Sequence, residues 1–212
     1  MAEPVQSRAA FLKQRTAPAH AALEARIDAL RPFASRERYA LFLQAQFAFH
    51  HHVEPLYREA PTAHLLPDNE HRSRLGQVAA DLRDLGAPPP PGRAADCRSL
   101  AEGLGWLYVA EGSKLGAAVL LKAVDALGLH GGFGARHLAA DHRGRGLSWR
   151  LFTATLNDQA LSPAEDGRMA RAADEAFRFF ADLVERMFGE ATGQVPVGTG
   201  NATGSSPFIH TE

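Results

Sequence analysis

Two stretches decide the fold of this 212-residue chain: LKQRTAPAHAALE at residues 12–24 and YVAEGSKLGAA at residues 108–118. The first carries one histidine, His20, among apolar residues that recur at helical spacing. The second carries two glycines, Gly112 and Gly116, which stand one helical turn apart. We infer that the first stretch offers a neutral nitrogen ligand, and that the second lets a flat ligand approach the helix backbone.

Helical spacing continues outward from both stretches, and no segment alternates in the manner of a strand. We therefore predict an all-α, single-domain bundle of about seven or eight helices over residues 1–190. The Gly-, Ser- and Thr-rich residues 191–212 are expected to form a flexible tail. The predicted helix boundaries are marked by Pro32, Ser35, Gly86, Ser99 with Glu102, Gly128, Ser162 with Glu165, and Gly189.

The composition is that of a soluble globular domain, with 45% hydrophobic and 22% charged residues. A net charge of −1 gives no reason to expect nucleic acid or a membrane surface as the partner. No apolar run is long enough to cross a bilayer. The single cysteine, Cys97, cannot form an internal disulfide, and we interpret it as structural. A cytoplasmic location is therefore expected.

A metal-binding role for His20 competes with a simpler one, because an isolated histidine on an apolar stripe is usually packed in the core. Glu24 favours the ligand hypothesis, since it lies one turn further along the same helix face. Its carboxylate can hold one ring nitrogen and leave the other free for a metal. The alternative is a surface pair worth a few tenths of a kcal/mol.

Four glycines interrupt the predicted helix that begins at Leu100, namely Gly103, Gly105, Gly112 and Gly116. Each costs about 0.5–1 kcal/mol relative to alanine in a helix interior. Two explanations compete on spacing alone: close packing against another helix, or the approach of a planar ligand to Gly112 and Gly116. In the second case Ser113 could hold a water molecule or a polar ligand group.

Two other polar clusters are candidate sites. The run of histidines at 50–52 cannot chelate one ion together, because consecutive helical side chains point about 100° apart. His50 and Glu54 could share a site, but a solvated or packed helix face is the simpler interpretation. The loop at 136–145 is basic and is expected to be solvated surface, with docking of an acidic electron donor as the alternative.

Five segments in this order resemble the bacterial haem oxygenases over most of residues 8–190: 16–24, 32–36, 54–58, 111–116 and 133–138. The resemblance implies a helical bundle with haem held between a proximal and a distal helix. His20 would then be the iron ligand, with Thr16 and Glu24 beside it. Gly112 and Gly116 would touch haem and O2. Ser113 stands where many members have aspartate, and Ala117 replaces a later glycine.

The resemblance also implies an activity. Haem would serve as substrate and cofactor, O2 and reducing electrons would be consumed, and biliverdin, CO and ferrous iron would be released. The electron donor would be a ferredoxin or a reductase, and biliverdin could pass to a photoreceptor. Lys13 would pair with a haem propionate, with Tyr108 as a second candidate at the mouth. This pairing would favour cleavage at the α-meso carbon.

Three rival functions share parts of this pattern. A non-catalytic haem carrier would use His20 without turnover. A thiaminase-like hydrolase on a related helical scaffold would need a catalytic cysteine or carboxylate cluster, and Cys97 is isolated. In a purely structural bundle, the glycines would serve helix packing alone.

Overall fold

The computed structural model describes residues 7–59, 61–66, 69–96 and 99–192. Within these ranges the protein is all-α, as predicted, and two isolated bridge contacts at His130 are its sole β features. Two 3₁₀ turns, Pro32–Ala34 and Arg136–Leu138, occur between helices. The α-helices are α1 (Arg8–Leu30), α2 (Arg36–Arg58), α3 (Asn69–Arg72), α4 (Leu75–Asp84), α5 (Leu100–Asp125), α6 (Arg145–Asn157) and α7 (Pro163–Thr192).

The predicted helix starts are confirmed by their caps. The Ser35 side chain accepts a hydrogen bond from the backbone of Arg38 at the start of α2. At α5, Ser99 and Glu102 each bond to the other's backbone N–H and form a complete capping box. Such reciprocal bonds satisfy backbone donors that the first helical turn leaves unpaired. These local bonds fix where the helices begin.

The predicted ends are less uniform. Gly86 follows α4 with a φ of 65°, in the left-handed region that glycine tolerates, so it terminates the helix as expected. The prediction that Gly189 ends the last helix is wrong, because α7 continues to Thr192. Phe188 is buried beside Gly189, and this packing outweighs the modest cost of a glycine inside a helix. The single turn α3 was not predicted.

Helix α7 lies at the centre of the bundle and contacts α1, α2 and α5. Met169, Ala173 and Val184 on its core-facing side are fully buried. Helix α6 also contacts both α1 and α5. Thus α1 and α5, which carry the two deciding stretches, share α6 and α7 as neighbours.

The glycines of α5 divide into two groups. A Cβ atom on Gly105 would overlap the carbonyl oxygen of Met169 on α7 and come within 2.8 Å of the Ala172 Cβ. A Cβ on Gly103 would lie 2.7 Å from the Thr62 side chain. Both positions are therefore explained by close packing. Gly112 and Gly116 have no such close neighbours.

Cys97 lies outside the described residues, as do residues 193–212 of the predicted tail. Across the described ranges, none of the helices combines the length and apolar character needed to cross a membrane.

The two groups of glycines predict opposite stability effects of the same substitution. Gly105→Ala should lower the free energy of unfolding by about 1–3 kcal/mol, because the added methyl group overlaps α7. Gly116→Ala should raise it by up to about 1 kcal/mol, because its Cβ meets nothing within 4 Å and alanine is the better helix former. Urea denaturation of the ligand-free protein measures both.

Gly76→Ala on α4 is the matched control, since a Cβ there also meets nothing within 4 Å. It should stabilise the protein as much as Gly116→Ala does. A clear loss of stability in Gly116→Ala would show that this face of α5 is packed.

Candidate functional site

His20 lies on α1 with its imidazole about half exposed, at 54%. Helix α1 continues through Pro18, so Lys13 and His20 belong to one unbroken helix. The ring meets Phe177 of α7 edge to face, with centroids 5.5 Å apart. The alternative in which His20 is an ordinary core residue is therefore excluded by its exposure.

Glu24 approaches one ring nitrogen of His20, with its Oε2 3.4 Å from Nδ1. A carboxylate at this nitrogen favours the tautomer with hydrogen on Nδ1. The other nitrogen, Nε2, then keeps its lone pair. The His20–Glu24 pair can thus present an oriented imidazole nitrogen to a metal.

The face of α5 at Gly112 and Gly116 is not filled by protein. A Cβ on Gly116 would meet nothing within 4 Å, and one on Gly112 would touch only the Trp149 ring, at 3.7 Å. Leu115 and Val119, on the same stretch, are 41% and 38% exposed. Exposed apolar side chains around a bare strip of backbone are typical of a ligand-contact surface.

Tyr108 on α5 lies near Thr16 on α1. Burial raises the pKa of Tyr108, and the nearby Thr16 hydroxyl opposes the rise. Thr16 is buried and donates to the carbonyl of Leu12. His20 and Gly112 each lie four residues further along their own helices, about 6 Å. The two deciding stretches therefore approach each other at Thr16 and Tyr108.

The remaining predicted site residues occupy different environments. Lys13 is exposed on α1. The Ser113 hydroxyl donates to the carbonyl of Ala110, 2.9 Å away on its own helix. Ala117 is only 5% exposed and belongs to the hydrophobic core. Lys13 and Ser113 are thus accessible from solvent, whereas Ala117 packs against protein.

A buried charge cluster precedes the glycine strip, and the sequence did not reveal it. Glu111 accepts hydrogen bonds from Tyr57 at 2.8 Å, Arg72 at 2.7 Å and Lys114 at 2.5 Å. Lys114 also donates to the Arg72 carbonyl at 2.8 Å. Glu111 and Lys114 stand in the quoted stretch, but Tyr57 and Arg72 are distant in sequence. The cluster holds α5 against α2 and α3.

Burial controls the titration of this cluster. It raises the pKa of Tyr57 well above its usual range, and the negative charge of Glu111 adds to the rise. It lowers the pKa of Lys114, and the ion pair with Glu111 opposes that fall. Because the carboxylate is shared by two cations and a phenol, removing Glu111 would leave buried charges uncompensated.

Trp149 on α6 lies beside the glycine strip of α5. Its ring lies beside Tyr108 and Phe152, with centroid distances of 5.6 Å to each. It is also the single neighbour of a Cβ on Gly112 among the described residues. An aromatic residue at helical spacing resembles any core residue, so the sequence carried no signal for this placement.

The histidine run is structural, as the simpler interpretation held. His50 is 5% exposed. His52 packs against Trp106 and Phe179, and its Nδ1 lies 2.9 Å from the carbonyl of Arg93. Across the part of the chain that the structure describes, no group of three or more His, Cys, Asp or Glu side chains could hold a metal ion.

The basic loop is solvated only in part. His142 and Arg143 are exposed, as expected. Arg136 is paired with Asp81 and Asp84 of α4. His137 is buried, and its Nδ1 lies 2.8 Å from Asp81. Arg145 donates to a backbone carbonyl of the same loop. Acids of α4 therefore hold Arg136 and His137, which the local sequence suggested were solvated.

The residues at His20 on α1 and at the Gly112–Gly116 face of α5 fit haem. One helix offers a half-exposed imidazole oriented by a carboxylate, and a single histidine is a common axial ligand of haem iron. The other helix offers a face on which a side chain would have open space. A flat macrocycle needs this combination, with a ligand on one face and little bulk on the other.

Comparison with known proteins agrees with this fit. A family model described as Heme oxygenase matches residues 6–186. Heme oxygenase PigA of Pseudomonas aeruginosa is 48% identical over 173 residues, which cover 80% of this chain and 87% of PigA.

Solved structures show the same fold. The NO- and CO-bound heme oxygenase of Neisseria meningitidis superposes with a TM-score of 0.82 at 36% identity, covering 87% of this chain and 94% of that one. Heme oxygenase-1 of Synechocystis, solved with heme, gives a TM-score of 0.70 at 15% identity, covering 89% and 96%. By its sequence, this chain belongs to the heme oxygenase family and is a haem-degrading oxidoreductase.

Proposed function

We propose that this protein opens haem to biliverdin with release of CO and ferrous iron, using O2 and electrons from an external donor protein. The observation that carries the proposal is the open face of α5 at Gly112 and Gly116, which is combined in one domain with an exposed, Glu24-paired His20 on α1. When bound, haem supplies both the iron that activates O2 and the ring that is oxidised. The protein supplies orientation and a controlled environment.

His20 and Glu24 form the proximal side of the proposed site. With Nδ1 directed to Glu24, Nε2 would be the nitrogen that holds the haem iron. Phe177 holds the imidazole edge and limits rotation of the ring. Glu24 therefore acts through His20, by fixing its tautomer and orientation.

Gly112 and Gly116 form the distal side. Without side chains, the helix backbone can lie close to the haem face and restrict where O2 points. Ser113 donates its hydroxyl proton to Ala110, so its oxygen is left to accept hydrogen bonds from water. We assign Ser113 the role of ordering water at this face, in place of the aspartate that many relatives carry.

Lys13, Thr16 and Tyr108 define the edge of the site. Thr16 and Tyr108 would lie at one end of the haem site, where burial raises the pKa of the Tyr108 phenol. Lys13 lies two turns before His20 on α1 and is exposed, which suits a cation that pairs with a haem propionate. Such a pair would orient the macrocycle for α-meso cleavage. Ala117 would contribute only through packing beneath the glycine strip.

The donor is proposed to be a ferredoxin or a reductase, and the enzyme is proposed to work in the cytoplasm. The single cysteine is compatible with a reducing compartment. Two uses suit the products: acquisition of iron from haem, or supply of biliverdin to a photoreceptor.

Turnover separates this function from haem carriage. The haem complex should yield biliverdin, CO and chelatable ferrous iron when a reductant and O2 are supplied, as followed by visible absorption and product chromatography. A haem complex whose spectrum is unchanged under these conditions would identify a carrier instead.

Gly116→Leu should weaken haemin binding about tenfold or more, equivalent to about 1.4 kcal/mol, because the new side chain occupies the open face of α5. Titration of the Soret band measures the affinity. Gly76→Leu is the control, because it also places leucine at an open helical position but lies on α4. Equal haemin affinity in the two variants would contradict the placement of haem against Gly116.

The wild-type protein should give mainly the α isomer of biliverdin, and Lys13→Gln should broaden the isomer distribution by removing the propionate partner. Chromatography of the products measures this distribution. Arg15→Gln, at an exposed cation on the same helix, should leave it unchanged. A wild-type product that is mainly the β or δ isomer would contradict the orientation assigned to Lys13.

A further inference from the structure

The turn of α5 that carries Gly112 has two buried ionic side chains on its opposite side, Glu111 and Lys114. At about 100° per residue, these side chains point roughly 150° away from the strip at Gly112 and Gly116. One turn of helix therefore has an open face in front and an ion pair behind it. Haem explains the open face, whereas it does not explain the ion pair.

Lys114 joins this turn to the end of α3. Its Nζ donates to Glu111 Oε1 at 2.5 Å and to the carbonyl oxygen of Arg72 at 2.8 Å. Arg72 is the last residue of α3, so its carbonyl is among those that a helix leaves without an internal partner. The ammonium group also lies over the ring of Tyr57 on α2, 5.7 Å from the ring centroid. Lys114 thus connects α5 with both α2 and α3.

The charge of Lys114 is unfavourable to bury. Burial lowers the pKa of Lys114, and the ion pair with Glu111 opposes that fall. The positive charges of Arg74 and Arg72 lower the pKa further. The ammonium group also interacts with the carboxylate of Asp141. Buried ion pairs are often no more stabilising than apolar side chains of similar volume, so stability alone gives little reason for a lysine here.

Glu111 would remain paired without Lys114. Its Oε2 accepts a hydrogen bond from Arg72 at 2.7 Å, and its Oε1 accepts one from Tyr57 at 2.8 Å. The specific contribution of Lys114 is therefore its bond to the Arg72 carbonyl, which ties the turn to the end of α3.

Two glycines make this turn depend on contacts from outside the helix. Gly112 directly follows Glu111, and Gly116 lies one turn further on. Glycine increases the conformational freedom of a helix interior. The Ser113 hydroxyl bonds to the carbonyl of Ala110, a pattern that often bends helices. A fixed bond behind the turn would therefore determine where its open face stands.

We propose that Lys114 is a positioning residue for haem degradation, because its bond to the Arg72 carbonyl fixes the distance between the Gly112–Gly116 face and the haem ring. This inference rests on the proposed function, since it assumes that haem lies against that face. Lys114 would not touch haem. It would act through the backbone of Gly112 and through Ser113, the groups proposed to restrict O2 and to order water.

Hydrogen–deuterium exchange of the haem-free protein tests this restraint. Lys114→Met keeps a long side chain but loses the charge and the bond to α3. The amides of residues 112–117 should then exchange about tenfold faster, because local opening of this turn becomes easier. Residues 169–184 of α7 should exchange at the wild-type rate. Lys122→Met is the matched control, since it makes the same replacement at an exposed position of α5 and should change neither segment.

Wild-type exchange at residues 112–117 of Lys114→Met would overturn the proposal. A uniform increase that includes α7 would also overturn it, because Lys114 would then serve only general stability. Lys114→Gln is the second variant and decides the question if Lys114→Met does not fold. Its shorter side chain carries a donor for one of the two acceptors, so we expect the same local increase, and wild-type exchange in this variant would contradict the assignment.

The ferrous CO complex gives a second readout, since the C–O stretching band reports the surroundings of a ligand on the distal side. Lys114→Met should shift and broaden this band, while its affinity for haemin stays within about threefold of the wild-type value. An unchanged band would overturn the role assigned to Lys114 towards haem. Exchange is measured without haem, so failure of the proposed function would appear in the turnover assay and leave the exchange result unaffected.

Discussion

The close contact between α5 and α7 at Gly105 determines how the rest of the site is arranged. Only glycine lets the α5 backbone approach the segment around Ala172 on α7. The backbone of Ala173 on α7 also faces Gly105. Phe177, four residues further along α7, packs against the imidazole of His20. One stretch of α7 therefore positions both helices that face the proposed haem, about one helical turn apart.

The glycines of α5 serve two different purposes on one helix. Gly103 and Gly105 permit contact with protein, whereas Gly112 and Gly116 leave a surface free. Between the two groups, the buried Glu111 cluster ties the helix to α2 and α3. A helix weakened by glycine is thus held by packing on one side and by charge on the other. Replacing a site glycine should gain stability and lose function, which is a common trade-off at binding sites.

Features that depend on nearby residues could be predicted from the sequence. Ser35 and the Ser99–Glu102 box mark helix starts because their bonds span only three residues. The pairing of His20 with Glu24 follows from helical spacing alone. The family motif supplied the expectation that Gly112 and Gly116 face haem, and the open space beside Gly116 supports it.

Features that depend on distant residues could not be predicted. Arg72 reaches Glu111 across 39 positions, and the loop cation Arg136 reaches Asp81 across 55. For the loop around Arg136, the local sequence suggested solvated charges. The end of α7 was misjudged for the same reason, since burial of Phe188 overrides a glycine signal. Tertiary packing decides each of these cases, and no local pattern encodes it.

Resonance Raman spectroscopy of the ferrous haem complex tests the central claim most directly, because it detects the bond between iron and a histidine nitrogen. Wild-type protein should show an iron–histidine band. His20→Ala should lack it, and added imidazole should restore an iron–imidazole band in that variant. An unchanged band in His20→Ala without imidazole would show that another residue binds the iron, and would contradict the account.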